Sequence, residues 1–140
     1  MEDPRVEAAI SALRDTGHRI TTARRAVVRA IATSPEHPTA EEILEQVAQA
    51  HPDVHLATVY RNLEALREIG LVEHTHLRHG PAVYRLADEP REQLVCDRCG
   101  SVTEVPSTAL RAASRELERR YGFRVGPQHF AITGLCRNCV

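Results

Sequence analysis

The sequence predicts a mixed α+β chain in two parts: an N-terminal set of four helices closed by a β-hairpin, then a smaller unit of strands around one helix. Three observations carry that expectation. Apolar residues recur at helical spacing four times before residue 70. Two short β-prone runs then flank a turn at His79-Gly80-Pro81. The four cysteines of the chain, Cys96, Cys99, Cys136 and Cys139, all lie beyond that turn, as two Cys-x-x-Cys pairs. A length of 140 residues allows one ordinary domain or two small ones, each marginal without a staple.

Taken in order, Pro4 occupies a first-turn position after Asp3, and Val6, Ala9, Ile10 and Leu13 form an apolar stripe that stops at Gly17. A second helix starts at Thr21 or Thr22, carries Ala26, Val27, Ala30 and Ile31, and breaks before Pro35. Thr39, with Glu42 three residues on, forms a capping box for a third helix whose Ile43, Leu44 and Val47 face inward. A fourth helix spans about 57–69, buries Val59, Leu63 and Leu66, and ends at Gly70, which suits a left-handed cap. Strands over 71–77 and 82–86 follow, and helices succeeded by such a hairpin describe a winged helix-turn-helix.

Residues 87–91 are polar and turn-like. The expected division is therefore a winged-helix DNA-binding domain over 1–86, a hinge over 87–91 and a small α/β dimerisation and metal-binding domain over 92–140. In the last of these, 93–97 and 101–105 read as hairpin strands around the first cysteine pair. Residues 107–121 read as a helix with Leu110, Ala113 and Leu117 inward, and 123–135 as a closing strand. So small a unit exposes sheet edges and apolar surface, for which pairing with a second copy is the natural remedy.

No apolar run approaches the ~20 residues of a membrane span, and the first residues are acidic where a signal peptide is basic and then apolar. The expectation is a soluble, cytoplasmic protein with no membrane partner. A net charge of -1 does not suggest a nucleic-acid binder, but the charge is uneven. Between Asp15 and Glu36 there is no acid, while Arg19, Arg24, Arg25 and Arg29 fall there. A local basic patch binds phosphate whatever the total charge.

Each cysteine pair supplies two thiolates from one tight turn, Asp97-Arg98 or Arg137-Asn138, and two such turns complete the all-sulfur tetrahedron of a closed structural zinc site. Two disulfides, or one redox pair, are the alternatives; nothing else suggests secretion, and the βαβ pattern of a thioredoxin-type pair is absent. The fourth helix presents Thr58, Tyr60, Arg61 and Asn62 away from its apolar stripe, suited to groove and phosphate contacts. Arg24 and Arg25, upstream, suit a grip on the backbone, with Arg19 and Thr22 beside them. The plainer alternative is a solvated polar face.

The run Ala57-Thr58-Val59-Tyr60-Arg61-Asn62-Leu63, then Leu94-Val95-Cys96-Asp97-Arg98-Cys99-Gly100 and a terminal Cys136-Arg137-Asn138-Cys139, resembles the ferric uptake regulator family of metal-sensing repressors over essentially the whole chain. The resemblance implies a homodimer that binds palindromic operator DNA when a regulatory metal is present, with structural zinc in the cysteine site. Two departures from the family bear on the regulatory metal. Where members carry a His-rich run before the first cysteine pair, this chain reads Glu89-Pro90-Arg91-Glu92-Gln93. The acidic ligand usual near the end of the second wing strand is Arg85, leaving His37 and Glu104 at matching positions.

His74 and His76, two apart on the first wing strand, project from one strand face, and His129 follows in the other module. A matching His-x-His and a C-terminal His form the nickel site of the nickel-responsive subgroup, which this chain most resembles. Imidazole suits nickel, zinc, copper and cobalt alike. Three histidines that bridge two modules make a switch, because a ligand moves a conformational equilibrium by its differential affinity for the two states. The alternatives are sensing of zinc, iron, manganese or peroxide through His37 and Glu104, loss of metal regulation, or a three-His zinc hydrolase. An enzyme is not expected, since no Asp or Glu forms a recognisable base motif there, and Glu73 beside His74 points to the opposite strand face.

Overall fold

The computed structural model describes residues 1–77, 79–88, 91–126 and 131–140. The element order is α1 (Pro4–Asp15), α2 (Thr22–Thr33), α3 (Ala40–Ala50), α4 (Leu56–Glu68), β1 (Val72–His76), β2 (Ala82–Leu86), β3 (Arg91–Cys96), β4 (Val102–Pro106), a 3-10 turn (Ser107–Leu110), α5 (Arg111–Tyr121) and β5 (Ile132–Gly134). The chain is mixed α+β, as expected, and falls into two compact units, 1–74 with 81–88 and 75–80 with 89–140.

The first three helices begin where short polar side chains can replace a missing helical acceptor, whereas α4 starts after His55 without a side-chain cap. Asp3 accepts from the Arg5 amide, Thr21 from Arg24, and Thr39 with Glu42 forms the full capping box. Gly70 closes α4 at φ +76°, a conformation that costs a residue with a Cβ. From α1 the core takes Val6, Ile10 and Leu13; from α2, Val27, Val28 and Ile31; from α3, Ile43 and Val47; from α4, Val59, Leu63 and Leu66. Val72, Tyr84 and Leu86 of the hairpin close it. The hairpin has a third member: Tyr84 donates its amide to the Pro38 carbonyl at 2.9 Å, and Thr39 bridges Val83. The four helices and this short sheet form the winged helix-turn-helix.

The second unit is built differently. β3 lies between β4, to which it is antiparallel, and β5, to which it is parallel. Among the described hydrophobic residues of this unit only Val95 and Cys96 are buried. The inward positions expected on the last helix are not inward: α5 has no buried residue, and Leu117 is 39% exposed. Tyr121 and Phe123 are more exposed still, at 69% and 63%. An apolar stripe buries only against an opposing layer, and the chief contact of α5 among the described elements is the 3-10 turn that leads into it. The closing strand is also shorter than the expected 123–135, since 123–126 are not in a strand and β5 begins at Ile132.

Candidate metal centre and nucleic-acid interface

The two cysteine pairs meet in the second unit. β3 delivers Cys96 at its end, the turn after it carries Cys99, and parallel pairing with β5 brings the chain to Cys136 and Cys139 beside them. Each pair sits in a tight turn: the Gly100 amide donates to the Cys96 carbonyl and the Cys139 amide to the Cys136 carbonyl, both at 2.9 Å. Gly100, at φ +76°, turns the chain out of the first knuckle. All four Sγ atoms lie within 4.8 Å of one another, and Cys99 Sγ is 3.8 Å from Cys136 Sγ. Zn–S bonds of about 2.3 Å set tetrahedral S···S edges of about 3.8 Å, so the donor set and its spacing fit zinc. All four are free thiols rather than disulfides.

Local groups prepare the sulfurs for anionic charge. The Cys136 amide donates to Cys96 Sγ at 3.4 Å, the largest of the backbone donations that bring the Cys96 thiol down to about 6. Ser101 Oγ lies 3.2 Å from Cys99 Sγ and lowers that thiol. Cys139 goes the other way, to about 12, first because Cys136 shares a hydrogen bond with it and then because it is partly desolvated. Four sulfurs this close cannot all ionise without a cation among them. Arg98 donates to the Cys139 carbonyl at 2.6 Å and ties the first knuckle to the second. Sequence reasoning gives Ser101 no role and Arg98 only a place in the turn of the first knuckle, because neither is a metal ligand; their closeness to the cysteines is the signal.

Of the histidines expected to hold a second metal, His74 and His76 lie on β1, both half-buried. The His74 ring is 6.3 Å from that of Tyr84, and His76 Nδ1 lies 3.5 Å from the Gly80 carbonyl oxygen. His129 lies outside the described residues. The Ala131 amide, two residues after it, donates to the His76 carbonyl at 3.4 Å. Glu73 forms an ion pair with Arg85 of β2, so the cation at the position of the family's acidic ligand has a carboxylate of its own. His37 is half-buried beside Pro38, and Glu104 on β4 accepts from Gln93 at 3.4 Å. Among the described residues, the four cysteines form the one group of three or more potential ligands that converge.

On the recognition side, Tyr60 and Arg61 are exposed on α4, Thr58 is half-buried, and Arg61 Nη2 donates to Thr58 Oγ1 at 3.2 Å. Thr22 and Arg19 are exposed at and before the start of α2. Asn62 differs from the expectation that it faces outward with these residues. It is 7% exposed, its Nδ2 donates to the Thr58 carbonyl at 2.9 Å, and its Oδ1 accepts from Arg24 Nε at 3.0 Å. The basic patch also differs from its appearance in sequence. Arg25 is paired with Glu2 at 2.9 Å and Glu7 at 2.8 Å, and Arg29 with Glu2, so a stretch free of acids along the chain is not free of them in space.

A winged helix-turn-helix followed by a four-cysteine cluster spaced to fit a metal defines the class. The chain belongs to the ferric uptake regulator family, whose model matches residues 15–132. It is 28% identical over 134 residues to the peroxide-responsive repressor PerR of Staphylococcus aureus, covering 96% of this chain and 90% of the relative. Among solved structures, the ferric uptake regulator of Pseudomonas aeruginosa with manganese superposes with a TM-score of 0.72 at 28% identity, covering 92% of this chain and 98% of that one. A zinc uptake regulator in complex with zinc and DNA superposes with a TM-score of 0.68 at 24% identity, covering 98% and 95%.

Proposed function

We propose that this chain is a metal-dependent transcriptional repressor that binds palindromic operator DNA as a homodimer in the cytoplasm and answers to nickel in the control of metal uptake or homeostasis. Cys96, Cys99, Cys136 and Cys139 hold structural zinc, which cross-links the termini of β3 and β5 in a unit with little core of its own. His74, His76 and His129 hold the regulatory ion. The observation that carries this second site is the bond from the Ala131 amide to the His76 carbonyl, which brings the chain just after His129 to the end of the strand bearing His74 and His76. Thr58, Tyr60 and Arg61 face the groove, and Arg19, Thr22, Arg24 and Arg25 lie toward the backbone. The exposed Leu117, Tyr121 and Phe123 supply apolar surface for the second copy.

A second reading, sensing of iron, manganese, zinc or peroxide through His37 and Glu104, draws on the named relatives. Arg85, paired with Glu73 where that site needs an acid, counts against it. The test begins with a duplex selected from a random pool by the nickel-loaded protein. Affinity for that duplex is then compared with nickel, zinc, cobalt, manganese and iron added in turn to the zinc-loaded protein. Nickel should give the largest gain. A larger gain with manganese or iron supports the second reading, and equal affinity throughout means that metal does not regulate binding.

A further inference from the structure

Three arginines of α2 could reach a DNA phosphate, and their partners separate them. Arg25 bonds two carboxylates, Glu2 and Glu7, and Arg29 bonds Glu2. Arg24 instead bonds neutral oxygens: Nε donates to Asn62 Oδ1 and Nη1 to the Arg19 carbonyl, each at 3.0 Å. Its charge is oriented without being cancelled. Counterion release requires a cation whose charge is not already compensated, so Arg24 is the member of the three best suited to a phosphate.

Asn62 explains how it is held. Arginine only donates, so Oδ1 must face Arg24 and Nδ2 must face the Thr58 carbonyl, as observed. Both polar ends of a nearly buried amide are thereby used on this chain. The guanidinium has five N–H donors; Nε and one Nη1 hydrogen are taken by these bonds, and among the described residues none takes the Nη2 edge, which is left for a phosphate.

We propose that Arg24 is the phosphate anchor of the interface and that Asn62 is a positioning residue, acting on DNA through Arg24 rather than by touching a base. The inference rests on the DNA-binding reading and refines it. It links the upstream backbone grip to α4, so that the anchor and the groove-facing side chains Tyr60 and Arg61 keep one register.

The test is the salt dependence of binding by the full-length, zinc-loaded protein to a short mixed-sequence duplex, which needs no knowledge of the operator. Losing one phosphate contact lowers the slope of log affinity against log salt by about 0.9. Arg24→Ala should lower it by that amount per protomer. Asn62→Ala should do the same although it removes no charge, and the double variant should go no further. Arg119→Ala, which removes an equal charge from an ion pair on α5, should leave the slope at the wild-type value. Asn62→Ser covers the case in which Asn62→Ala fails to fold: its hydroxyl can still bond the Thr58 carbonyl four residues back, it is too short to hold Arg24 Nε, and it should fall toward the Arg24→Ala slope. A wild-type slope in Arg24→Ala overturns the anchor, and wild-type slopes in Asn62→Ala and Asn62→Ser overturn the positioning role, while DNA binding stays intact. Absence of salt-dependent binding by the wild type sinks the DNA-binding reading and the anchor with it.

Discussion

The Ala131 amide donates to the carbonyl of His76 at 3.4 Å, joining the segment before β5 to the end of the first wing strand. The strand that carries His74 and His76 is thus hydrogen-bonded at its end to a residue that follows His129 by two in the sequence. Imidazole is a strong ligand for nickel and its neighbours in the transition series, and three of them from separate segments make an affinity that depends on conformation. Coupling between such a site and DNA is typically about 1–3 kcal/mol, or about 5–150-fold in affinity.

The cysteine centre should behave as a folding element and not as a sensor. Cys136→Ser or Cys96→Ser should abolish zinc binding and unfold residues around β3 to β5, because Val95 and Cys96 are the buried hydrophobic residues described there. The helices of the first unit, with a core of their own, should stay folded. Metal content by atomic emission, read beside hydrogen exchange, checks both halves: about one zinc per chain in the wild type, and protection lost only in the second unit of the variant.

Glu2 and Glu7 should restrain DNA binding. Glu2→Gln with Glu7→Gln frees Arg25 and Arg29 and should raise affinity for mixed-sequence duplex severalfold at low salt, with the gain vanishing at high salt. The pH dependence has a definite sign. The Glu2 carboxyl is held below its ordinary value, first by its bond to Arg29. A depressed carboxylate contributes its pairing fully above the ordinary range and loses it as pH falls through the lowered value. The pairing should therefore persist at neutral pH, and the Glu2 carbon-13 titration should move up in Arg29→Ala.

The apolar residues on and after α5 should lie within the contact between copies. Leu117→Glu or Phe123→Glu alters exposed positions, so the folded chain should survive while the oligomer dissociates. Analytical ultracentrifugation should show dimer for the wild type and monomer for the variants, with operator affinity falling because half-sites are then bound singly. A dimer in both variants places the contact elsewhere.

The parts of this fold that were legible in the sequence are those set by local rules. Asp3, the Thr39–Glu42 box and Gly70 mark helix ends because each acts on amides within a few residues. Four cysteines in two knuckles specify a cluster because few arrangements satisfy that spacing. What was not legible depends on distant partners. Asn62 reads as an outward polar residue until Arg24, 38 residues away, is known to lie against it. Glu2 and Glu7 have no assigned role in the sequence, because only the packing of α2 alongside α1 brings Arg25 to them. The stripe of α5 has the right period for burial, but periodicity does not say whether the opposing layer belongs to the same chain.

The most direct test of the central claim is metal-dependent operator affinity in a His74→Ala, His129→Ala double variant, compared with wild type in the presence and absence of nickel. The account predicts that nickel raises wild-type affinity by at least about fivefold and leaves the variant unchanged, while both retain the cysteine-bound zinc and the dimer. An undiminished nickel response in the variant would contradict it.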